Sequence, residues 1–463
     1  MANYLGLIGA EAFAANRFKN YRRTVFYYYP QGAAPLTGIL SLMREEVTND
    51  PEFHWEEKRK STQIMSTAAI SSNISWYATG ITISGGVITA ATAASGNITT
   101  VVGTQYAIKL SGDPTTMFRI NHLIQVVEQD SSGNQYTIVG QVNALNNASA
   151  SIANVVGFTA LNVTSSAFAY NLAGNIGINV VVVGNANAEG QVGATDNVYT
   201  VPLDIDNLTQ IFRTSYQMTG TALKTSAKFD DRGVFPDEAK EAMLNHATEM
   251  EKNFIWGQQT ITSTVVGGST QTVRTTGGIM WFLAQWEAGT TYGNAAASVD
   301  TDDTKRIIIN STGILAYRTF LGYGERVFRM TNNKTSEKLA FVGSGAMNIL
   351  TQMFASKIVL MQKPPAGETY GMELTQVILP FGTLWLKTHP LFSENSIWRN
   401  SMLILDIPNL RYRFLAGRDT ELLRDRQPRN ADYVENEYLT ESGLEVNFPE
   451  AHMYIQNILD FAP

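Results

Sequence analysis

The sequence predicts an α+β protein carrying an all-β insert, and two observations lead to that class. Between Ser66 and Ala188 the only charged residues are Lys109, Asp113, Arg119, Glu128 and Asp130, while short alternating pieces such as GITISGGVIT, YTIVGQV and INVVVVG recur between Gly, Asn and Ser clusters. Period-two alternation bounded by turn residues is the pattern of short strands. After Asp204 the periodicity turns helical, most clearly in PDEAKEAMLNHATEMEKNFIWG, Pro236 to Gly257. A strand-built stretch and a helix-bearing stretch in separate parts of one chain make α+β the class.

Bulk composition narrows the function classes. At 463 residues the chain exceeds one simple core, and length alone points to about three domains. The chain is 44% hydrophobic and only 16% charged, a thin coat of charge for a free surface and one that fits a surface covered by further copies of the chain. There is no cysteine, which excludes disulfides, thiolate nucleophiles and thiolate metal sites. A net charge of -7 argues against a general nucleic-acid binder. No apolar run approaches the roughly 20 residues of a membrane span; the longest, Ile176 to Val183, is interrupted by Gly177 and Asn179. MANYLGLIGAEAFAAN lacks leading basic residues and carries Glu11, so it reads as mature sequence rather than a signal peptide.

Along the chain, NRFKNYRRTVFYYYP interleaves basic residues, Arg22 and Arg23 among them, with aromatic rings. Such a mixture serves either a single-strand nucleic-acid groove or an arm whose rings bury against a neighbouring subunit; the acidic balance favours the arm. The insert follows, with SSGN at 131–134 as a hairpin turn. In the helix at 236–256, Pro236 suits the first turn, Asp237 and Glu238 the positive end of the dipole, and Gly257 the stop. Ala239, Met243, Ala247, Met250 and Phe254 fall on its apolar face. Some 20 residues of helix measure about 30 Å. A second helix is expected near Asp302 and a third near Ser344. From Thr375 the chain alternates again, in TLWLKTH and MLILDIPNLRYRFL, and then becomes charge-dense in RDTELLRDRQPRNADYVENEYLTESGLEV.

The most enzyme-like stretch is DPEFHWEEK, Asp50 to Lys58. His54-X-Glu56 matches half of a zinc deaminase signature, but the other half needs a Pro-Cys-X-X-Cys, and the remaining histidines, His122, His246, His389 and His452, lie far apart in sequence. Gly343-Ser344-Gly345 would need a third glycine where Asn348 stands to read as a dinucleotide fingerprint; a tight strand-to-helix turn is the simpler reading. There is no Gly-Lys pair for a P-loop and no Gly-X-Ser-X-Gly elbow. No catalytic residue, cofactor site or metal site is expected, and the chain reads as no enzyme.

The order of segments carries a resemblance. PLT at Pro35 to Thr37, DPEFHW at Asp50 to Trp55, AEG at Ala188 to Gly190 and TQIF at Thr209 to Phe212 lead to FGTLWLKTHPLF, MLILDIPNLRYRFLAGRDT and TESGLEVNFPEAHMYIQNI. Together they resemble the major capsid proteins of tailed bacteriophages with the Hong Kong 97-type fold. The resemblance implies residues 1–65 as N-terminal arm and start of the extended loop, and 66–190 as extended loop with the β-rich insertion domain. It implies 191–300 as the peripheral domain with the spine helix 236–256, 301–400 as the axial domain, and 401–463 as a return to peripheral strands. DPEFHWEEK becomes a joint in which Phe53 and Trp55 anchor by burial while their charged neighbours pair across a subunit boundary. Arg22, Arg23, Arg418, Asp419, Glu421, Arg424 and Arg426 become assembly residues. The implied function is self-assembly into hexamers and pentamers of an icosahedral head shell around double-stranded DNA, contacted non-specifically. The implied partners are further copies, a portal protein, a separate scaffolding protein and a decoration protein, with no membrane; the place is the virion, after assembly in the bacterial host cytoplasm. An encapsulin-like compartment shell shares the fold and stays as the alternative, with a β-rich adhesin or fibre protein behind it.

Overall fold

The computed structural model describes residues 45–59, 63–68, 76–93, 101–129, 135–146, 152–163, 179–190, 195–224, 234–266, 269–288, 307–329, 336–356, 361–362 and 375–462. The chain divides into two compact units, Lys58–Pro202 and a second made of Met1–Glu57 with Leu203–Pro463. Arg22, Arg23 and the SSGN turn lie outside the described residues, as does Asp302.

The unit Lys58–Pro202 is one eight-stranded sheet in the order Ile64–Ser66, Asn179–Asn185, His122–Gln129, Gln135–Asn146, Val155–Val163, Gln105–Lys109, Trp76–Ser84, Val87–Ala93. Every pairing in it is antiparallel. Neighbouring residues point to opposite faces of a strand, and here both faces are apolar: Trp76 and Ile108 enter one cluster, Tyr77 and Ala107 the other. That double burial explains how so few charges suffice. In the turn between Trp76–Ser84 and Val87–Ala93, Gly85 and Gly86 both have positive φ, 58° and 78°, as a two-residue type I′ hairpin turn requires. Gly140 is fixed by packing instead: a Cβ there would lie 2.1 Å from Phe158 Cδ2.

The other unit holds two larger sheets. A five-stranded sheet orders Glu45–Thr48, Leu410–Leu415, Tyr433–Val446 and Gln210–Thr219, with Glu421–Leu423 also paired to Tyr433–Val446. A seven-stranded mixed sheet orders Ile308–Ala316, Met453–Ala462, Met402–Leu405, Glu337–Val342, Gly382–Thr388, Thr375–Leu379 and Met361–Gln362. The C-terminal stretch therefore splits between both sheets; the 3-10 turn Ile407–Asn409, with Pro408 inside it, redirects the chain from one to the other. Gly343 is the turn from Glu337–Val342 into the helix Ser344–Ser356, and a Cβ on it would lie 2.3 Å from the Arg399 carbonyl oxygen.

Three helical expectations change. The segment after Asp204 is strand: Leu203–Leu208 pairs with Glu52–Glu57, and Gln210–Thr219 pairs along its whole length with Tyr433–Val446. Beyond Asp302 the chain is the strand Ile308–Ala316, parallel to Met453–Ala462, and the helix is Tyr317–Arg329. In both places strand partners far away in sequence overrode a weak local preference. The long helix runs Val234–Trp256, but its buried face is Ala242, His246, Met250 and Phe254, while Met243 is 57% exposed. His246 sits inside because both ring nitrogens are satisfied, Nδ1 with Thr214 Oγ1 at 2.9 Å and Nε2 with Thr440 Oγ1 at 2.8 Å. Phe254 meets Phe212 and Tyr412, ring centroids 6.2 and 6.0 Å apart, so the helix packs on the five-stranded sheet. Among the described residues no helix is long and apolar enough to cross a membrane.

Candidate functional site

DPEFHWEEK forms a strand whose alternation decides its role. In Glu52–Glu57 every second residue is buried: Phe53, Trp55 and Glu57. Phe53 stacks on Trp55 at 6.1 Å, and Trp55 meets Phe282 at 5.7 Å. The Trp55 indole N–H donates to Glu57 Oε1 at 3.3 Å, and the Phe448 backbone N–H donates to the same oxygen at 2.9 Å. On the outer face His54 Nε2 lies 3.5 Å from Glu52 Oε1 and Nδ1 lies 3.3 Å from Asp204 Oδ2. Glu52, His54 and Asp204 thus lie side by side within the chain. The reason is Leu203–Leu208, which pairs with this strand and brings Asp204 alongside. Among the described residues no group of three or more His, Asp or Glu is placed to hold a metal.

The charge-dense C-terminal run folds back in the same way. Glu437, Glu441 and Glu445 are four residues apart on the strand Tyr433–Val446, so period two sets all three on one face, and all are buried. Arg213 clasps Glu437, with Nη2 donating to Oε2 at 2.8 Å. That hydrogen bond holds the Glu437 carboxyl below the usual carboxylate range and raises Arg213. Arg426 Nε lies 3.9 Å from Glu437 Oε2, and Arg418 Nε lies 2.8 Å from Glu441 Oε2. Arg413 Nη2 lies 2.5 Å from Glu445 Oε2 and Nη1 lies 3.0 Å from Glu46 Oε1. Asp419 Oδ1 accepts from the Tyr412 hydroxyl at 3.1 Å, and burial first of all pushes that phenol up. Arg418, Asp419 and Arg426 thus each lie against a partner within the chain, because Leu410–Leu415 and Glu421–Leu423 pair with Tyr433–Val446 and carry these residues beside it. Glu421 and Arg424 remain exposed. Sequence reasoning missed the acidic row; its four-residue spacing on a strand was the signal available.

Two further charged groups are fully enclosed. Lys338 Nζ donates to the Ala451 carbonyl at 2.6 Å and lies 3.5 Å from Asp406 Oδ2, both side chains fully buried. Burial pushes Lys338 down and Asp406 up. His452 Nδ1 accepts from the Asp406 backbone N–H at 3.1 Å, and burial pushes this histidine down to about 3. His389 accepts from the Leu391 N–H through Nδ1, which leaves Nε2 to donate to Glu251 Oε1 at 2.6 Å. Glu251 ties the helix Val234–Trp256 to His389, while Lys338, Asp406 and His452 tie Glu337–Val342 to the segments at 406 and 451–452.

A last feature faces outward. Thr260–Val266 and Ser269–Thr275 form a two-stranded ribbon. Its residues 260–265 and 269–273 are exposed on both faces, with Ile261 60% and Val265 70% accessible. Its root is fixed. Buried Asn207 donates to Gly277 O at 3.0 Å and Leu444 O at 2.7 Å, and accepts from the Gly277 N–H at 2.8 Å. Gln210 Oε1 accepts from Asn253 Nδ2 at 2.9 Å and from the Thr276 N–H at 3.1 Å. Gly257 and Gly278 close the base, since a Cβ on either would lie 2.4 and 2.6 Å from the Asn253 carbonyl oxygen.

Comparison with known proteins adds a family to this geometry. A family model described as SU10 major capsid protein matches residues 9–459. The major capsid protein of Pseudomonas phage PaMx41 is 26% identical over 243 residues, which cover 52% of this chain and 53% of that protein. The chain thus spans about half the length of the curated relative it matches. Among solved structures, one from Mycobacterium phage Adephagia aligns over 99% of this chain and 100% of its own with a TM-score of 0.39 and 8% identity. The cyanophage A-1(L) capsid asymmetric unit aligns over 59% and 85% with a TM-score of 0.38 and 12% identity.

Proposed function

The chain belongs to the SU10 major capsid protein family, and from that premise we propose that it is the repeating subunit of a tailed-phage head. It acts as a structural protein without chemistry of its own, closing into hexamers and pentamers of an icosahedral shell around double-stranded DNA. The observation that carries this reading is the family match, which runs through both compact units. The geometry supports it: the buried ionic groups are tied to one another in the interior, while a rigidly rooted ribbon stands out.

In this reading the long helix is the spine of a peripheral domain, the seven-stranded sheet with its helices forms the axial domain, and the insert Lys58–Pro202 is a module of the extended loop that covers a neighbour or the outer surface. Arg22 and Arg23 serve an N-terminal arm, and the exposed Glu421 and Arg424 contact neighbouring copies. A portal protein, a separate scaffolding protein and a decoration protein complete the particle, which assembles in the host cytoplasm and touches DNA without sequence preference. Mass spectrometry of purified virions is expected to find this chain as the most abundant head polypeptide. Particles that lack it would overturn the proposal.

A further inference from the structure

We propose that the ribbon Thr260–Val266/Ser269–Thr275 is an intersubunit clasp that adds its strands to a second copy of this chain. The inference rests on the shell reading and deepens it by naming the surface and its partner.

A free-standing two-stranded ribbon is marginally stable in water, and one with bare edges is a template for pairing with another chain. Proteins that keep such edges unpaired blunt them with lysine, proline or a bulge. TITSTVVGGSTQTVRT, residues 260–275, contains no lysine and no proline, and its strands pair in unbroken register from Thr260↔Thr275 to Val266↔Ser269. Its residues are mostly β-branched, the types that favour an extended, paired backbone. Ile261 and Val265 lie four residues apart and so share one face, a short apolar stripe left open to water.

The contrast between root and tip sharpens the case. The base is held by Asn207 and Gln210 through five hydrogen bonds to buried or partly buried backbone and side-chain groups. The Thr275 hydroxyl adds a bond to the Gln258 carbonyl at 2.7 Å. Beyond that base the ribbon lies bare. A fixed root removes much of the entropy that docking would otherwise cost. Seven residues per strand at about 3.3 Å each reach about 23 Å, long enough to cross a boundary between subunits.

Charge selects the occupant. The chain carries a net charge of -7, so two copies repel on average. The one charged residue of 260–275 is Arg274, placed opposite Ile261. A ribbon whose one charge is a cation meets no like-charge repulsion from an acidic subunit, and a shell supplies that neighbour at high local concentration. Backbone pairing gives the affinity and the Ile261–Val265 stripe gives the register.

The test is amide hydrogen exchange on shells of the wild-type chain against dissociated subunits. Amides of 260–275 are expected to slow by about tenfold or more on assembly. In the I261K/V265K variant, whose substituted positions are exposed, shell yield is expected to fall by about tenfold. Shells in which these amides exchange as fast as in subunits overturn the clasp and leave the shell reading standing, as does normal assembly of I261K/V265K. Protection seen only in particles that contain a second polypeptide overturns it in favour of that partner. Virions without this chain remove the shell reading and the clasp together.

Discussion

The insert Lys58–Pro202 and the C-terminal sheet region are both strand-built, and they satisfy polarity in opposite ways. In the insert, strand pairing and apolar burial on both faces of one antiparallel sheet do most of the work, joined by local side-chain contacts such as Asn146 Nδ2 to the Ile88 carbonyl at 2.9 Å and the Thr115 N–H to Asp113 Oδ1 at 2.8 Å. Around Tyr433–Val446 buried carboxylates are matched by arginines from three other segments. The difference teaches where pH and charge act: backbone ladders are indifferent to protonation, so the insert responds through single side chains such as buried His122, which burial pushes down, whereas enclosed ions depend on each partner staying charged or staying neutral.

The largest test of that contrast removes one region altogether. Glu57 and Leu203 face each other in the register of their strands, so the insert leaves and rejoins the other unit at one point. Replacing 58–202 by Asn-Gly, a two-residue turn suited to that junction, is expected to keep the helical circular dichroism, since each described α-helix lies after Gly220. Loss of the helical signal would show that the insert is part of the core fold.

Next in size is the enclosed ion pair. Asp406→Ala leaves the Lys338 amine buried without its carboxylate and is expected to cost about 3–5 kcal/mol in denaturant unfolding. The double variant K338M/D406L is expected to regain most of that loss. A cost of D406A under about 1 kcal/mol would break the account of this region as ion-dependent.

In the insert the comparable lesion is steric. Gly140→Ala would put a Cβ 2.1 Å from Phe158 Cδ2, and overpacking of this kind costs about 1–3 kcal/mol. The loss is expected in hydrogen exchange of insert amides and to be the same at pH 5 as at pH 7. A pH-dependent loss would blur the distinction between the two regions.

The last test belongs to His452. Its native value is pushed down to about 3 from 6.5, so below 6.5 the unfolded chain takes up a proton that the native chain refuses. Stability therefore falls as pH drops from 6.5 toward 3, by about 1.4 kcal/mol per pH unit. Asp406, pushed up by burial, works against this slope, so the quantity to measure is the difference between wild type and His452→Gln. Urea titrations from pH 7 to pH 5 should show the shallower decline in H452Q; parallel curves would place the acid sensitivity elsewhere.

Much of this was legible before any coordinates. Composition marked the charge-poor stretch, the turn residues marked its strands, and the family resemblance implied the burial of Phe53 and Trp55. The long helix was readable too, from Pro236 and the acidic first turn, though its inner face was misjudged. Met243 is apolar yet exposed, and His246 is polar yet buried, because the two threonines that satisfy the imidazole come from strands far away in sequence.

The sequence by itself determined the elements whose cause is local: period-two strands in the insert, the long helix and a chain without thiol chemistry. Only the tertiary structure decided which charges meet. Arg213 and Glu437 stand 224 residues apart in the chain, and their contact exists because Gln210–Thr219 pairs in one register with Tyr433–Val446. A slip of one residue would turn Glu437, Glu441 and Glu445 to the other face. Local pattern sets which way a side chain alternates; strand register over long separations sets what it finds there.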